Sequence, residues 1–135
     1  MDRMNPTDDL SREQAAAVLA AALAQPGVGS LLAGFAEVPG VVFRPGRSGG
    51  LLRRAVPTSL EVGQWRFVAD PGTGARLRVS HVVRDVVLKT SDVGPAEGGR
   101  LLAGAVLAAA SEAGPSARLE VQSMLYGLAV VYGVV

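Results

Sequence analysis

The chain contains no cysteine and a single histidine, His81. Without cysteine there is no disulfide, no thiolate ligand for a metal and no cysteine nucleophile. A zinc site would have to be built mostly from carboxylates, which is uncommon. The glycines do not have the spacing of a dinucleotide-binding fingerprint or of a Walker loop. We therefore expect no metal, no cofactor and no catalytic residues, which is typical of a non-enzymatic protein.

Isoleucine is also absent, and Lys89 and Asn5 are the only residues of their types. These three amino acids have AT-rich codons, so the bias is typical of a GC-rich bacterial genome. Net charge is only +1 and aromatic residues make up 4% of the chain. No overall field favours a nucleic acid or an anionic membrane, and few rings are available to stack on bases. We therefore do not expect a nucleic acid as partner.

The N-terminus has no basic segment leading into an apolar one, so we expect no cleaved signal peptide. The apolar run of residues 15–24 would span ~15 Å as a helix, too little to cross a bilayer. We therefore expect a cytoplasmic protein, either free or peripheral to the membrane, and no integral insertion. The 135 residues fit one domain. We predict a flexible start over residues 1–9 and a single domain over residues 10–135.

Three segments have the pattern of helices. Ser11 and Gln14 have the spacing of a capping box and precede the alanine-rich run, which Pro26 stops. Because this run lacks a polar face, we expect the helix to be covered nearly all round. A short helix is predicted over residues 29–37, and a longer one, with proline in its first turn, over residues 94–113.

Alternation of apolar and polar residues predicts a β-hairpin. Its strands cover residues 64–69 and 75–83, and a turn at residues 70–74 joins them. The alternation slips at Arg84-Asp85, where either a β-bulge or the passage of the strand into a buried part of the sheet explains the change. Together the segments predict an α+β fold: a small, mostly antiparallel sheet with helices packed on one side and an alanine-rich N-terminal helix.

Residues 117–122 also alternate, and we predict a final strand that begins there and continues to residue 132. From Met124 onward both of its faces are apolar, which is typical of a strand that enters a covered region. Either the alanine-rich helix or a second copy of the chain would supply the cover. We expect Leu128, Val130 and Tyr132 to be ordered, buried on both faces, and at or beside a two-fold interface. Each large apolar side chain left in water forfeits roughly 1.5–3 kcal/mol of burial.

His81 is in phase with Leu77 and Val79, on the face that we assign to the core, so we predict a structural role for it. Asp85 follows four residues later, which is ~13 Å along a strand. The two side chains therefore do not form a hydrogen-bonded pair within one strand. A Ser-His-Asp arrangement would have to be assembled from distant segments, and we expect no nucleophile elbow of the G-x-S-x-G type to support it.

One charged segment stands out, a glycine-rich stretch from residue 44 to residue 54 that we predict to be a loop. No acidic residue occurs between Glu37 and Glu61. Backbone amides and arginines together bind phosphate or carboxylate groups, so an anionic ligand is the partner that this loop would take. A solvated loop without a partner is the alternative interpretation. The candidate ligand-binding residues are Arg44, Arg47, Arg53 and Arg54.

The stretch LLAGFAEVPGVV, with its turn Val38-Pro39-Gly40-Val41, resembles the helix-to-strand passage of the alkaline shock protein family. The order of elements from about residue 28 to residue 132 is also similar. The alanine-rich helix and the arginine loop depart from the family pattern. The resemblance implies a non-enzymatic, self-associating protein near the cell envelope, with no catalytic residues to carry over.

Two functions remain open at this point. The first is a structural or interaction protein that forms a homodimer or a higher homo-oligomer through the C-terminal strand and the alanine-rich helix. The second is a small-ligand carrier or weak enzyme with a pocket near the arginine loop of residues 44–54. A pocket walled by the sheet, with the arginines and His81 pointing into it, would favour the second. A flat apolar surface would favour the first.

Overall fold

The computed structural model describes residues 9–47, 49–69 and 77–133, and within these ranges the chain forms four helices and five strands. Each strand pairs antiparallel with the next along the chain, in the order β1-β2-β3-β4-β5. The fold is therefore α+β, as predicted. The elements are α1 (Arg12–Leu23), α2 (Val28–Ala33), β1 (Val41–Arg44), β2 (Thr58–Val62), β3 (Trp65–Ala69), β4 (Leu77–Val83), β5 (Val86–Val93), α3 (Pro95–Ala113) and α4 (Pro115–Val131).

The helices cover one face of the sheet. Alternate strand residues such as Leu60, Phe67 and Val79 are buried on that face. α3 follows β5 directly and packs on β2, β4 and β5, while α1 crosses α3 and α4 packs on both α1 and α3. The hydrophobic core therefore lies between the sheet and α3 and continues among the helices.

The first helix begins where the capping box predicts. The N–H of Gln14 donates to Oγ of Ser11 at 3.1 Å, and the N–H of Ser11 donates to Oε1 of Gln14 at 2.8 Å. The residue before the cap, Leu10, is buried and bound by Gln122 of α4. Its N–H donates to Oε1 of Gln122 at 2.7 Å, and Nε2 of Gln122 donates to its carbonyl at 3.3 Å. These two bonds attach the start of α1 to α4.

The cover of α1 comes from its own chain. Contacts with α3, α4 and α2 bury Val18, Leu19 and Leu23, while Ala17 stays exposed. The crossing with α3 is close: a Cβ built on Gly99 would lie 2.6 Å from the carbonyl oxygen of Ala16. A backbone contact of this kind requires glycine on one helix, and it explains how an alanine-rich helix packs with so little side-chain volume.

The predicted C-terminal strand is wrong, because residues 115–131 form α4. Ala117, Val121, Leu125 and Ala129 are four residues apart and all buried, which is the periodicity of a helix that packs along one stripe. Pro115 opens the helix at a position where its missing N–H is harmless. Apolar and polar residues alternate only over residues 117–122. A helix with one buried stripe also produces alternation over so short a stretch.

One chain alone does not bury the C-terminal residues on both faces. Leu128 is half-buried and packs against the core, but Val130 and Tyr132 are exposed. A helix presents one stripe to the core and leaves the opposite stripe in solvent, so the chain does not bury both.

The change of phase at Arg84-Asp85 is a hairpin turn between β4 and β5, not a bulge inside a strand. Both residues have positive φ, 52° and 66°, as a two-residue turn of type I′ requires. The register shift of this hairpin lies at His81/Val82 instead. Val86 to Leu88 are exposed on the edge strand β5, so the strand does not pass into a buried part of the sheet there.

The remaining differences concern the end of α2, one strand that was not predicted, and two predicted segments of which little is described. α2 spans six residues, Val28–Ala33, and gives way to turns before β1, so it ends earlier than the predicted residue 37. β2 was not predicted, because its sequence, TSLEV, is short and borders the arginine loop. The predicted turn at residues 70–74 lies outside the described residues, as do residues 1–8 of the flexible start predicted over residues 1–9.

Candidate functional sites

A groove of about 700 Å³ runs along α3, beside the turn that joins β2 and β3. Its far wall is formed by the α2–β1 turn at Pro39-Gly40 and by residues 62–65. This volume is within the range of sites that enclose a small organic molecule. The residues of α3 that line it are Leu101, Gly104, Ala105, Ala108, Ala109, Glu112 and Ala113.

The sequence of α3 explains why there is room for a groove beside this helix. The lining residues are three and four apart, so they form one stripe of the helix, and most of them are alanine or glycine. A stripe with short side chains leaves room between the helix and the β2–β3 turn, where larger residues would have filled the gap. The groove is thus a consequence of which face of α3 carries small residues.

Two charged side chains line the groove. The guanidinium of Arg12 lies across α3 at Gly104, where an added Cβ would be 2.7 Å from Nη2 of the arginine. Glu112 is two turns further along α3, ~12 Å by the helical rise. Within the part of the chain that the structure describes, neither side chain has an ion pair or hydrogen-bond partner. The groove therefore offers a cation at one end and an anion at the other.

Trp65 and Gln64 form the aromatic and amide part of the wall. Behind Trp65, on β4, His81 stacks on its ring, and Nε2 of His81 lies 3.1 Å from Oε1 of Gln64. His81 is on the core side of the sheet, as its phase predicts, but half-buried at the margin rather than inside the core. It does not itself line the groove. Trp65 packs against the core and also lines the groove.

The arginine loop is a second hairpin built on β1 and β2. Beyond the paired residues Arg44 and Ser59, the N–H of Arg47 donates to the carbonyl of Val56 at 2.8 Å, and the reverse bond is 2.9 Å. Near the tip, Gly50 and Arg53 form a further bridge. We call residues 44–56 the arginine hairpin. Its described residues include two hydrogen-bonded pairs across the hairpin, which the prediction of a loop from its glycines did not anticipate.

The four predicted arginines lie outside the groove. Arg44, Arg47, Arg53 and Arg54 are all exposed, and none of them lines the groove. The groove lies beside Gly40 and Val62, at the end of the β1–β2 pair opposite to the hairpin. Sequence reasoning therefore found the basic segment but missed the groove, whose signal is the spacing of small residues along α3.

A serine motif in the hairpin was also overlooked. Residues 46–50, GRSGG, have the spacing of a G-x-S-x-G nucleophile elbow. That elbow needs a strand before it and a helix after it, whereas here the flanking elements are the two strands of a hairpin. Ser48 itself lies outside the described residues. The motif therefore lacks the context in which such a serine is activated.

Two absences apply to residues 9–47, 49–69 and 77–133. No three His, Asp or Glu side chains there are grouped as a metal ion would require. No helix in these ranges has both the length and the apolar character to cross a bilayer.

Comparison with protein families places the chain. The family described as "Domain of unknown function (DUF5073)" matches residues 7–130. The chain belongs to the DUF5073 family. No curated protein and no solved structure matches it. The matched residues contain the groove, the arginine hairpin and almost all of α4, so each of these features is part of the DUF5073 domain.

Proposed function

We propose that this DUF5073 protein is a non-enzymatic interaction protein that forms a homodimer through the outer face of α4. The observation that carries the proposal is the exposure of large apolar side chains on that face. Leu119 is 73% exposed, Val130 is 58% exposed and Val131 is 73% exposed. Apolar residues grouped on one exposed face are typical of a contact surface, whereas single ones are ordinary.

The outer face of α4 is complementary to itself. Leu119, Ser123, Gly127 and Val131 are four residues apart, and each step turns the helix only about 40° beyond one full turn. Two antiparallel copies related by a two-fold axis level with residue 125 place Leu119 opposite Val131 and Ser123 opposite Gly127. The small residues at the centre let the two backbones approach, and the larger ones close both ends. Such an isologous contact gives a closed dimer and not a fibre.

The alanine-rich helix contributes less to this proposal than its sequence suggested. α1 is buried by α3 and α4 of its own chain, so α4 forms the surface that is free. The Val38-Pro39-Gly40-Val41 turn does join a helix to a strand. The resemblance of that turn to the alkaline shock family supports self-association and a place near the cell envelope.

The experiment is a measurement of molar mass in solution, by light scattering or sedimentation, over a range of concentrations. Val130→Lys and Gly127→Glu, both on the outer face, are expected to shift the protein toward monomer. Leu88→Lys is the matched control, because Leu88 is an exposed apolar residue on β5, away from α4. A native chain that stays monomeric at the highest concentration, or a control that dissociates the dimer equally, would contradict the proposal.

A second function is favoured by the groove: binding of a small amphipathic anion. The apolar stripe of α3 and the ring of Trp65 would hold its apolar body, and Arg12 would hold its carboxylate. Arg12 has no acidic partner in the described part of the chain, so its charge is available to a ligand. Glu112 at the other end would repel a carboxylate, which sets the orientation of the ligand. The lining residues include no pair arranged as a general acid and a general base, which favours a carrier over an enzyme.

Trp65 is the only tryptophan, so its fluorescence reports directly on the groove. Titration with decanoate is expected to change the emission, and decanol should bind more weakly because it has no charge for Arg12. Arg12→Gln should weaken decanoate binding, and Ala108→Phe should block it by filling the groove. Arg100→Gln is the control, since Arg100 is exposed on α3 outside the groove. Equal binding of decanoate and decanol would rule out the role of Arg12.

A further inference from the structure

We propose that the arginine hairpin docks this protein on the surface of an anionic membrane. In this arrangement Leu51 and Leu52 enter the acyl boundary of the lipid and the arginines bind the headgroup phosphates. The inference does not depend on the α4 dimer or on the groove, because the hairpin shares no residue with either.

The tip of the hairpin carries two leucines that are almost entirely exposed. Leu51 is 103% exposed and Leu52 is 95% exposed, so both are as accessible as in an isolated peptide. They are the central residues of a two-residue turn: the N–H of Gly50 donates to the carbonyl of Arg53 at 2.9 Å, and the reverse bond is 3.4 Å. An adjacent pair of leucines fully in water is unusual, since each loses the whole benefit of burial.

The base of the hairpin prevents these leucines from folding back onto the core. The two hydrogen bonds between Arg47 and Val56 hold its strands together. Below them, the N–H of Gly46 donates to Oγ1 of Thr58 at 3.0 Å. Gly46 is so close to the opposite strand that an added Cβ would be 2.6 Å from the backbone nitrogen of Thr58. The hairpin is thus an extension of the β1–β2 pair that presents its tip to the solvent.

The charges of the hairpin complement a phosphate surface. Arg47, Arg53 and Arg54 flank the leucines, Arg44 lies nearer the sheet, and no acidic residue occurs over residues 38–60. Their side chains make no ion pair within the described residues. Guanidinium groups bind phosphate oxygens in a bidentate manner, and a basic cluster beside an anionic leaflet is attracted to it.

The order of these groups along the hairpin favours a lipid surface over a nucleic acid. An apolar tip followed by a cationic shaft matches a leaflet, where the acyl chains lie beneath the phosphates. A nucleic acid offers phosphates but no apolar layer for Leu51 and Leu52. Residues 44–56 also contain no aromatic ring that would stack on a base.

The experiment is co-sedimentation of the full chain with vesicles of phosphatidylcholine alone or mixed with phosphatidylglycerol. Binding is expected only to the mixed vesicles, and it should weaken as salt shortens the screening length below ~8 Å. Replacing Arg47, Arg53 and Arg54 together by glutamine should weaken binding about a hundredfold, or about fivefold for each charge. Leu51→Ser and Leu52→Ser should each weaken it about tenfold.

Two control variants keep charge and hydrophobicity separate. Arg100→Gln removes an exposed arginine from α3, and Leu88→Ser removes an exposed apolar side chain from β5; neither should change binding more than about twofold. Equal binding to both kinds of vesicle, or none to either, would overturn the proposal. So would binding to single-stranded RNA that needs the arginines but not the leucines.

A second measurement tests insertion of the tip without weakening the hairpin. The chain has no cysteine, so Leu51→Cys creates a unique position for an environment-sensitive fluorophore. Emission from this label is expected to shift to the blue on mixed vesicles, and emission from a label at Leu88→Cys should stay unchanged. An unshifted label at position 51 on bound protein would show that the tip stays in water and would overturn the proposal.

Discussion

Trp65 and His81 lie directly opposite each other on β3 and β4, with ring centroids 4.7 Å apart and planes inclined by 24°. The pair closes the end of the core beside the groove. Nε2 of His81 is 3.1 Å from Oε1 of Gln64, and the carbonyl of Gln64 accepts from the N–H of Val82 at 2.7 Å. These contacts give His81 a role in holding the β2–β3 turn against β4.

Replacing His81 tests this structural role. His81→Leu and His81→Gln both remove the stack on Trp65, and each is expected to lower the free energy of unfolding by ~1 kcal/mol. Urea denaturation followed by Trp65 fluorescence measures the change. Affinity of the groove for decanoate should stay within about twofold, because His81 does not line it. A folded variant that no longer binds would show that His81 acts in the site.

The helical glycines Gly99 and Gly127 should respond in opposite ways to alanine. Gly99→Ala should cost roughly 2–3 kcal/mol, because the added methyl would meet the backbone of α1 at Ala16 and Ala20. In the monomer, Gly127→Ala should gain ~0.5–1 kcal/mol, because nothing in the single chain lies within 4 Å of its added Cβ and alanine favours the helix. Its unfolding is therefore measured at a concentration below that at which the α4 dimer forms. Thermal or urea unfolding of both variants checks the sign. Similar effects at the two positions would contradict the close α1–α3 crossing.

A different turn sequence between β4 and β5 is expected to stabilise the protein. Arg84 and Asp85 both occupy the left-handed region, where residues with larger side chains are strained. Replacing the pair by Asn-Gly, the preferred sequence of a type I′ turn, should stabilise the protein by about 1 kcal/mol. Chemical denaturation of the double variant measures the gain. A loss of stability would mean that Arg84 or Asp85 makes a contact that outweighs the backbone strain.

Gln122 is expected to matter more than a partly exposed glutamine normally does. It satisfies both the N–H and the carbonyl of Leu10, at 2.7 Å and 3.3 Å. Gln122→Ala should therefore lower stability by ~1–2 kcal/mol, because the backbone groups of a buried residue lose their partner. The matched change is Ser11→Ala, which removes the cap of α1 and should cost ~1 kcal/mol. Proteolysis at the N-terminus, measured beside urea unfolding, should accelerate in both variants.

The first helix, α1, and the last helix, α4, differ in how well the sequence predicts them. α1 was predictable because Ser11 and Gln14 form a local capping box and Pro26 stops the run. α4 has no side-chain cap, and its tail is rich in valine, which favours strands. The helical signals that were present, Pro115 at the first turn and the spacing of Val121, Leu125 and Ala129, competed with a short alternation. Packing against α1 and α3 selects the helix.

The groove could not be predicted because it is a space between distant segments. The sequence over residues 101–113 shows only that one stripe of α3 carries small residues. Small residues on a helix favour a close contact with another helix as much as they favour a groove. That close contact does exist, but at Gly99 and against α1. Which stripe meets α1 and which faces the β2–β3 turn depends on how α3 is rotated on the sheet.

Local signals were enough to predict the capped alanine-rich helix, the β3–β4 hairpin, the helix over residues 95–113 and the basic segment. The helical state of residues 115–131, the position of the groove and the exposure of Leu51 and Leu52 became visible only in the folded chain. Local signals depend on backbone preferences and side-chain bonds within a few residues. The state of α4, the groove and the exposed leucines depend on long-range packing. Side chains distant in sequence decide which helix faces and strands are buried in the common core.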